Sequence, residues 1–419
     1  MDYCHSFQPH RAHKLKDSIM QRVSLFGYGK TTKAIAKCIP HAVFYDDKII
    51  ASFRDEDGFM VKPSNEFDPH CSDLEICSPG IPPYNPLITK ARNLVSEYDY
   101  FNASAPLQIW ISGTNGKTTT TQMMQHLLKD KGSQEGGNIG TPLAELSPHA
   151  GMWILETSSF TMHYTKSAKP NIYVLLPLSP DHLSWHGDMD AYIQAKLKPL
   201  SMMCEGDIAI LPHANKDVIT SAKIISYKDE QDIAEYFGID IHKINFKGAF
   251  LADALLAMAV DKILFDRINY AQINAFVIDA HRQEELRDVH NRLWVNDTKA
   301  TNLDATIAAV KRYKESQIHL ILGGDDKGVD LNELFMYLQK TMVKIYAIGS
   351  NKDKLCDLSV AYNISFEKCT HLKDAIIRID KNLKKDEVAL LSPAAASLDE
   401  FTSYAHRGND FKEAVSLIS

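Results

Sequence analysis

Two short apolar runs of this chain each lead into a glycine-flanked turn that ends in Lys-Thr. Val23–Phe26 precedes the turn Gly27–Thr32, and a second run ending at Ser112 precedes the turn Gly113–Thr118. When a strand, a glycine turn and a helix follow one another, successive backbone N–H groups can face a single anion. The lysine adds a charge for phosphate oxygens, and the hydroxyl of Thr118 can bind Mg²⁺. The sequence therefore predicts an α/β protein that uses a nucleoside triphosphate, while the motifs alone leave open which turn binds it.

The same rhythm of apolar runs and helical patterns continues along most of the chain, which is typical of domains built on parallel sheets. The length of 419 residues suggests about three domains. We expect a disordered extension at residues 1–19, followed by domains at residues 20–104, 105–279 and 280–419. Further strands are predicted at residues 43–45, 152–155, 172–176, 293–295, 319–322, 345–348 and 388–391, and helices at residues 32–38 and 251–264.

Composition excludes several classes of partner. Lys and Arg total 46 against 53 Asp and Glu, giving a formal net charge of −7, so nucleic acid is not an expected partner. No apolar run reaches the roughly 18 residues that a membrane span needs, and no membrane association is expected. The seven cysteines are scattered and form no C-x-x-C pair, as is usual for reduced cytoplasmic proteins. We therefore expect a cytoplasmic protein, acting as a monomer on small molecules.

The first glycine turn has a second interpretation. Gly27 and Gly29 are followed about 20 residues later by the acidic pair Asp46 and Asp47, as in a Rossmann dinucleotide site, although Thr32 replaces the third glycine. An NAD-dependent oxidoreductase would need this turn to bind the dinucleotide, and the missing glycine argues against it. An ordinary tight turn between a strand and a helix remains open.

Several polar groups follow predicted strands, where open α/β sheets bind ligands. Glu156 ends an apolar strand and is a candidate Mg²⁺ ligand. His182 and His186 lie four residues apart, but no further ligand at zinc spacing accompanies them. We favour His182 as a Mg²⁺-site or phosphate-site residue and treat His186 as incidental. The Asp- and Lys-containing loops 296–302 and 323–328 follow two further strands, and they are either solvent-facing turns or two walls of one cleft.

Seven short motifs occur in the order found in the Mur ligases, and the chain resembles that family from about Val23 to its end. They are Gly113–Thr118, Asn138–Pro142, Glu156–Phe160, Asp181–His182, Asn296–Asn302, Gly323–Lys327 and Leu391–Asp399. The last three are most similar to the members that join D-glutamate to UDP-N-acetylmuramoyl-L-alanine, using ATP, in peptidoglycan precursor synthesis. The resemblance implies an α/β protein of three domains: a Rossmann-like N-terminal domain, a central P-loop ATPase-type domain with a parallel sheet, and a Rossmann-like C-terminal domain.

The resemblance assigns ATP and two Mg²⁺ ions to the second glycine turn. Its implied catalytic residues are Lys117, His182 and Lys196, and the implied Mg²⁺ ligands are Thr118, Glu156, His182 and Lys196. Lys196 matches a family lysine that reacts with CO₂ to become a carbamate, whereas the sequence alone indicates an exposed helix lysine. The implied ATP-binding residues are Gly113, Thr114, Asn115, Gly116, Lys117, Thr118, Thr119, Arg282, Asp297 and Lys299.

The two other substrates are assigned in the same way. The residues implied for the UDP-linked substrate are Gly29, Lys30, Thr31, Thr32, Asp46, Asp47, Ser78, Pro79, Gly80 and Asn138. Those implied for D-glutamate are Thr301, Lys327, Ser397, Leu398 and Tyr404.

Three positions depart from the family pattern. Asp253 stands where many relatives have an adenine-contacting Asn, Tyr404 replaces a common Phe, and Ala395 stands where Cys is frequent. The competing functions are a sister ligase that adds another amino acid, a folylpolyglutamate synthase and a nucleotide switch without ligase activity. The segment Ser397–Asp399 argues against the first two of these.

Overall fold

We describe the protein from a computed structural model, in which residues 21–326 and 328–418 are described. The extension predicted at residues 1–19 and the predicted D-glutamate residue Lys327 lie outside the described residues. The described residues form three six-stranded sheets that are mostly parallel, which confirms the α/β class. Close contacts define a first compact unit, with residues up to 104, 142–145 and 160–168, and a second unit with residues 105–141, 146–159 and 169 onwards. The three predicted domain ranges stay a prediction.

The first unit contains a sheet with the strand order β3-β4-β2-β1-β5-β6. Its strands are β1 Val23–Phe26, β2 Val43–Asp46, β3 Phe53–Arg54, β4 Met60–Pro63, β5 Leu74–Cys77 and β6 Leu94–Val95. Its helices are α1 Lys30–Ala36, α2 Pro86–Lys90 and α3 Glu97–Phe101. The direction of strand order reverses at β1, which pairs in parallel with β2 on one side and β5 on the other. Ligands bind beyond the carboxyl ends of parallel strands at such a reversal.

The second unit contains a wholly parallel sheet with the order β12-β11-β10-β7-β9-β8. Its strands are β7 Leu107–Ser112, β8 Ser133–Gly137, β9 Met152–Glu156, β10 Ile172–Leu175, β11 Ile208–Pro212 and β12 Lys223–Tyr227. The helices of this stretch of chain are α4 Lys117–Leu128, α5 Ser159–Tyr164, α6 Leu183–His186, α7 Met189–Met202, α8 Glu230–Phe237, α9 Ala249–Phe265 and α10 Tyr270–Asn274.

Helices α4 and α9 pack against each other within this part of the second unit. The apolar residues of α9 are buried nearly all round, as expected of a helix inside a core. Asp253 is a buried exception on the same helix. The pairing of α4 with α9 therefore places a carboxyl group beside the glycine turn that begins α4.

The second unit also contains a sheet with the order β13-β14-β18-β15-β16-β17, in which only the β13–β14 pair is antiparallel among the described residues. Its strands are β13 Glu284–Arg287, β14 Leu293–Asn296, β15 Ile318–Gly323, β16 Val343–Ile348, β17 Ser365–Lys368 and β18 Val388–Leu391. Its helices are α11 Leu303–Arg312, α12 Asn332–Leu338, α13 Lys352–Ala361, α14 Leu372–Asp380 and α15 Tyr404–Ser416. None of the helices in the described ranges has the length and apolar character that crossing a bilayer requires.

Candidate active site

The turn between β7 and α4 has a backbone that requires glycine at two positions. Gly113 and Gly116 have φ angles of +141° and +83°. A Cβ atom on Gly113 would lie 2.5 Å from the Cβ of Leu176, and one on Gly116 would lie 2.7 Å from Oδ1 of Asp253. Both distances are far below van der Waals contact, so any larger residue would displace the turn. The turn delivers the N-terminus of α4, with its unpaired N–H groups, to the cavity beside it.

Two lysines share one carbonyl of this turn. The Nζ of Lys117 donates to the carbonyl oxygens of Gly113 and Thr114 at 2.9 and 2.7 Å, and the Nζ of Lys196 donates to the same Gly113 oxygen at 2.8 Å. Lys196 is only 2% exposed. Burial lowers the pKa of both lysines, and the Lys117 charge lowers that of Lys196 further. The interpretation of Lys196 as an exposed helix lysine is wrong, and a neutral amine is favoured there by its surroundings.

A buried carboxylate lies at the end of β9. Glu156 is 3% exposed, and its Oε1 accepts a hydrogen bond of 2.6 Å from Nδ2 of Asn138. Glu156 and Thr118 line one cavity and offer a carboxylate and a hydroxyl, which are oxygen ligands of the kind Mg²⁺ prefers. Within the described ranges, no three His, Cys, Asp or Glu side chains cluster closely enough to hold a metal ion. The residues present therefore fit a Mg²⁺ ion only if a phosphate-bearing substrate and water supply its other ligands.

The glycine turn opens into a cavity of about 250 Å³ within the second unit. Its walls come from the turn and α4, from α9 and from the loops before β13 and after β14. The polar residues that line it are Thr114, Asn115, Lys117, Thr118, Thr119, Asn138, Glu156, Asp253, Arg282, Gln283, Asp297, Lys299, Thr301 and Asn302. The structure thus brings together most of the residues predicted to bind ATP, together with Thr301 and Asn138 from the two other predicted sites.

Arg282 reaches the glycine-turn helix from the segment before β13. Its Nη1 donates to Oγ1 of Thr119 at 3.0 Å. The residues on either side, His281 and Gln283, have φ angles of +71° and +45°, which non-glycine residues rarely adopt. The N–H of Gln283 donates to Oδ1 of Asp297 at 3.2 Å, so the strained backbone is fixed on one side.

Two carboxyl groups of the cavity have pKa values far above the usual range for aspartate. Burial raises the pKa of both Asp253 and Asp297 to about 7, although each accepts a hydroxyl hydrogen bond that opposes the rise. Thr120 Oγ1 donates to Asp253 at 2.8 Å, and Ser392 Oγ donates to Asp297 at 2.8 Å. Burial and then the Arg282 charge lower the pKa of Lys299, which also lines the cavity. Such perturbed groups in one cavity are typical of a functional site.

The two histidines after β10 have different surroundings. His182 has a half-exposed side chain, a φ angle of +54°, and an Nε2 atom 3.4 Å from Oδ2 of Asp181. It does not line the cavity just described. The Nε2 of His186 lies 2.9 Å from Oγ of Ser159. The predicted role of His182 stays a prediction.

The described residues predicted to bind D-glutamate lie on the loops after β14 and β18 and at the start of α15. Thr301 lines the cavity and Ser397 is buried, whereas Leu398 and Tyr404 are exposed by 69% and 40%. The carbonyl of Tyr404, at the start of α15, accepts a hydrogen bond of 3.2 Å from Thr298 Oγ1. Lys327 belongs to this predicted set and lies outside the described residues.

The residues predicted to bind the UDP-linked substrate gather at the reversal of the first unit's sheet, except for Asn138. A Cβ on Gly27 would lie 3.0 Å from the Cβ of Ser78, so the turns after β1 and β5 touch. The Oδ2 of Asp46 accepts from the N–H of Tyr28 at 2.8 Å. Asp47 accepts a side-chain hydrogen bond from Asn85 at 2.6 Å. Three loops from neighbouring strands thus meet at one sheet edge.

Two residues that the sequence did not predict contact the glycine turn and the loops of the second unit. The hydroxyl of Tyr192, one turn before Lys196 on α7, lies 2.9 Å from Oγ1 of Thr114. Arg407, on α15, is 1% exposed and bonds to three separate loops. The spacing of four residues between Tyr192 and Lys196 indicates one helix face, but nothing in the sequence indicates that this face, or Arg407, is buried.

Comparisons with known proteins agree along nearly the whole chain. The Mur ligase middle domain matches residues 111–254. A protein of Campylobacter jejuni strain 81-176 named UDP-N-acetylmuramoylalanine--D-glutamate ligase is 54% identical, with 95% of this chain and 100% of that protein covered. A protein of the same name from Helicobacter pylori strain 26695 is 45% identical, with 94% and 99% covered.

Solved structures of Mur ligases share the fold. The MurF ligase of Thermotoga maritima in complex with ADP has a TM-score of 0.57 at 15% identity, covering 96% of this chain and 98% of that one. MurF from Acinetobacter baumannii has a TM-score of 0.58 at 13% identity, covering 94% and 92%. At this identity the likeness concerns the fold and leaves the choice of substrate to other arguments.

Proposed function

Because this chain belongs to the Mur ligase family, at high identity to relatives named UDP-N-acetylmuramoylalanine--D-glutamate ligase, we propose that it joins D-glutamate to UDP-N-acetylmuramoyl-L-alanine. The reaction uses ATP and belongs to peptidoglycan precursor synthesis. The observation that carries the chemistry is the pair of lysines, Lys117 and Lys196, on the Gly113 carbonyl. Lys117 lines a cavity that Glu156 and Arg282 also line.

Two steps account for amide formation. The substrate carboxylate attacks the γ-phosphorus of ATP, which forms an acyl phosphate and releases ADP. The neutral amine of D-glutamate then attacks the acyl carbon, loses a proton and expels phosphate, which leaves the amide. Each reactant is an anion, so the site must supply cations where charge develops.

Lys117 supplies one of these cations. Lys117 is the first residue of α4, and its Nζ donates to two carbonyls of the glycine turn. A triphosphate seated on the turn would replace those carbonyls as the acceptor. Arg282 and Lys299 contribute charge from the opposite wall of the cavity, and Asp297 fixes the segment that carries Arg282 through Gln283.

Thr118 and Glu156 would hold one Mg²⁺ ion, and His182 would help to hold a second. A bound Mg²⁺ would offset the repulsion between the carboxylate and the triphosphate. Asn138 orients the Glu156 carboxylate by its 2.6 Å hydrogen bond, which is the usual task of a residue behind a metal ligand.

Lys196 works as a carbamate in this proposal. Burial lowers the pKa of Lys196 and so favours its neutral form. The lone pair on Nζ of that neutral amine can attack CO₂, forming an N–C bond and releasing one proton. The product is an anion and can serve as a Mg²⁺ ligand, whereas an ammonium group at this position would repel the metal. Tyr173 helps to fix this part of α7, because its hydroxyl donates to the carbonyl oxygen of Lys196 at 2.5 Å.

The two other substrates use the sheet edges already described. The UDP-linked substrate binds at the reversal of the first sheet, to Gly29–Thr32, Asp46, Asp47 and Ser78–Gly80. Asn138 belongs to the same proposed set. D-glutamate binds to Thr301, Lys327, Ser397, Leu398 and Tyr404. We also propose that the protein acts in the cytoplasm as a monomer, with domains at residues 20–104, 105–279 and 280–419.

Phosphate release measured under four conditions tests the function. The complete mixture contains Mg-ATP, UDP-N-acetylmuramoyl-L-alanine and D-glutamate, and the three others omit one substrate each. Sustained release is expected only in the complete mixture. Equal release when either UDP-N-acetylmuramoyl-L-alanine or D-glutamate is omitted indicates a nucleotide switch. In a separate reaction, release with L-alanine and UDP-N-acetylmuramate as the two substrates indicates a sister ligase.

A further inference from the structure

Arg407 ties three loops of the second unit together from inside the protein. Its Nε donates to Oγ1 of Thr298 at 2.8 Å, and its Nη2 donates to the carbonyls of Thr298 and Ala395 at 3.0 and 3.1 Å. Its Nη1 lies 3.4 Å from the carbonyl of Ala396 and 3.5 Å from that of Gly323. The guanidinium group therefore bonds only to neutral oxygen atoms among the described residues.

Among the described residues, no carboxylate forms an ion pair with Arg407. Asp399 and Glu400 act on its charge from a greater distance, and their attraction opposes the effect of burial on its pKa. Burial lowers the pKa of Arg407 to about 10, which reflects the cost of holding a cation there. A buried charge without a partner is unfavourable unless a ligand completes it.

A second buried arginine of the same unit gives the contrast. Arg292 has a side chain that is 9% exposed, and it pairs with Asp288 at 2.7 Å and with Asp380 at 2.5 Å. Its burial is balanced by two carboxylates, as is usual for structural arginines. A buried arginine of this unit can thus be paired with carboxylates, and the lack of an ion pair is specific to the position of Arg407.

The three loops that Arg407 joins carry the proposed D-glutamate residues other than Tyr404, which lies at the start of α15. Thr298 is three residues before Thr301, and Ala396 directly precedes Ser397. Gly324 follows Gly323, and a Cβ on it would lie 2.2 Å from the Ala396 carbonyl oxygen. The loops are thus packed closely around the guanidinium group.

We propose that Arg407 is a positioning residue that makes the amino-acid pocket select a dicarboxylic substrate, by holding these three loops and by placing beside them a buried guanidinium group that no ion pair neutralises. The inference rests on the proposed function, since it assumes that D-glutamate binds on these loops. D-glutamate brings two carboxylates to the site, and D-glutamine has the same shape with one carboxylate fewer. The charge of Arg407 therefore favours the first over the second, without a direct contact to either.

The test compares kcat/KM for D-glutamate and D-glutamine in the wild type, Arg407→Met and Arg407→Lys. Arg407→Met is expected to reduce the ratio of the two values by about tenfold, with the KM values for ATP and the UDP-linked substrate unchanged. Arg407→Lys keeps the positive charge but loses the planar set of N–H donors that bonds to the three loops. Its ratio should therefore stay close to that of the wild type, while the KM for D-glutamate rises. The matched control Arg292→Met should lower the melting temperature without changing the ratio.

A ratio that is unchanged in Arg407→Met, or KM values that rise equally for all three substrates, would overturn the inference. If Arg407→Met does not fold, Arg407→Lys decides: a ratio about tenfold below that of the wild type contradicts the role of charge. Guanidinium ion added to Arg407→Gly should restore the ratio, and failure to do so in a folded variant counts against it. A wild-type protein that does not use D-glutamate at all refutes the proposed function instead.

Discussion

Replacing Asp253 by asparagine is expected to flatten the pH dependence of ATP binding. The carboxyl group is 2% exposed, accepts a hydrogen bond from Thr120 and lies against Gly116 of the glycine turn. Burial raises its pKa to about 7, so it is neutral in mildly acid solution and becomes an anion in alkaline solution. An anion at this place opposes the phosphates of ATP.

The size of the effect follows from proton linkage. If bound ATP requires a neutral Asp253, the apparent dissociation constant grows as the inverse of the neutral fraction, which amounts to about tenfold, or about 1.4 kcal/mol, between about pH 6 and about pH 8. Asp297 has a similar pKa in the same cavity and contributes to both proteins equally. The quantity to compare is therefore the difference in slope between the wild type and Asp253→Asn.

Calorimetric titration with a non-hydrolysable ATP analogue, in buffers of different ionisation enthalpy, measures both the affinity and the protons taken up. The wild type should take up close to one proton more than Asp253→Asn at about pH 8. Asp261→Asn is the matched control, because Asp261 is equally buried on α9 but pairs with Arg267 at 2.9 Å and does not line the cavity. Identical slopes and proton counts in the wild type and Asp253→Asn would refute the reasoning.

Three other substitutions give separate tests. Lys196→Ala should be nearly inactive and partly restored by a short carboxylic acid that replaces the carbamate, and a lack of response to any acid or to bicarbonate would contradict that role. Lys327→Ala should raise the KM for D-glutamate by about 10- to 100-fold, the value of one charge-assisted hydrogen bond, and a rise in the KM for ATP alone would move Lys327 to the nucleotide. Asp99→Asn should lower the free energy of unfolding of the first unit by roughly 2–4 kcal/mol, measured by urea denaturation, because Asp99 accepts from the N–H groups of residues 166, 167 and 168. The pKa of Asp99 is lowered in the folded state, so this stabilisation is present above its ordinary pKa and is lost as the pH falls below it, and an unchanged acid midpoint in the variant would count against the assignment.

The hydrophobic pattern of the sequence predicted most of the strands of the fold. Strands β1 and β18 begin and end at the predicted residues, and the predicted strand at 152–155 is one residue longer in the structure. The helix predicted at 32–38 occupies Lys30–Ala36, because the glycine turn allows a helix to begin directly after Gly29. Short buried strands between glycine turns depend on local sequence, which is why they could be predicted.

The sequence predicts the site residues that belong to the glycine turns, and it does not predict those whose position depends on long-range packing. The spacing of the glycines in residues 113–116 indicates a phosphate-binding turn. The burial of Lys196, in contrast, arises because α7 packs against the turn that follows β7. Asp253 is visible as a departure from the family, and only the packing of α9 on α4 shows that it faces the turn. Arg407 is an ordinary surface residue by sequence, since no local pattern records three loops closing over it.

The strained backbone around Arg282 has a consequence for how this protein can evolve. His281 and Gln283 each hold a left-handed conformation that costs about 1–3 kcal/mol in a residue other than glycine. A laboratory selection for heat resistance alone should therefore recover glycine at position 283 early, since the strain would vanish there at little loss of packing. Such variants should have a lower catalytic rate, because a flexible segment no longer holds Arg282 against α4. Heat resistance and catalytic rate therefore compete at these two positions.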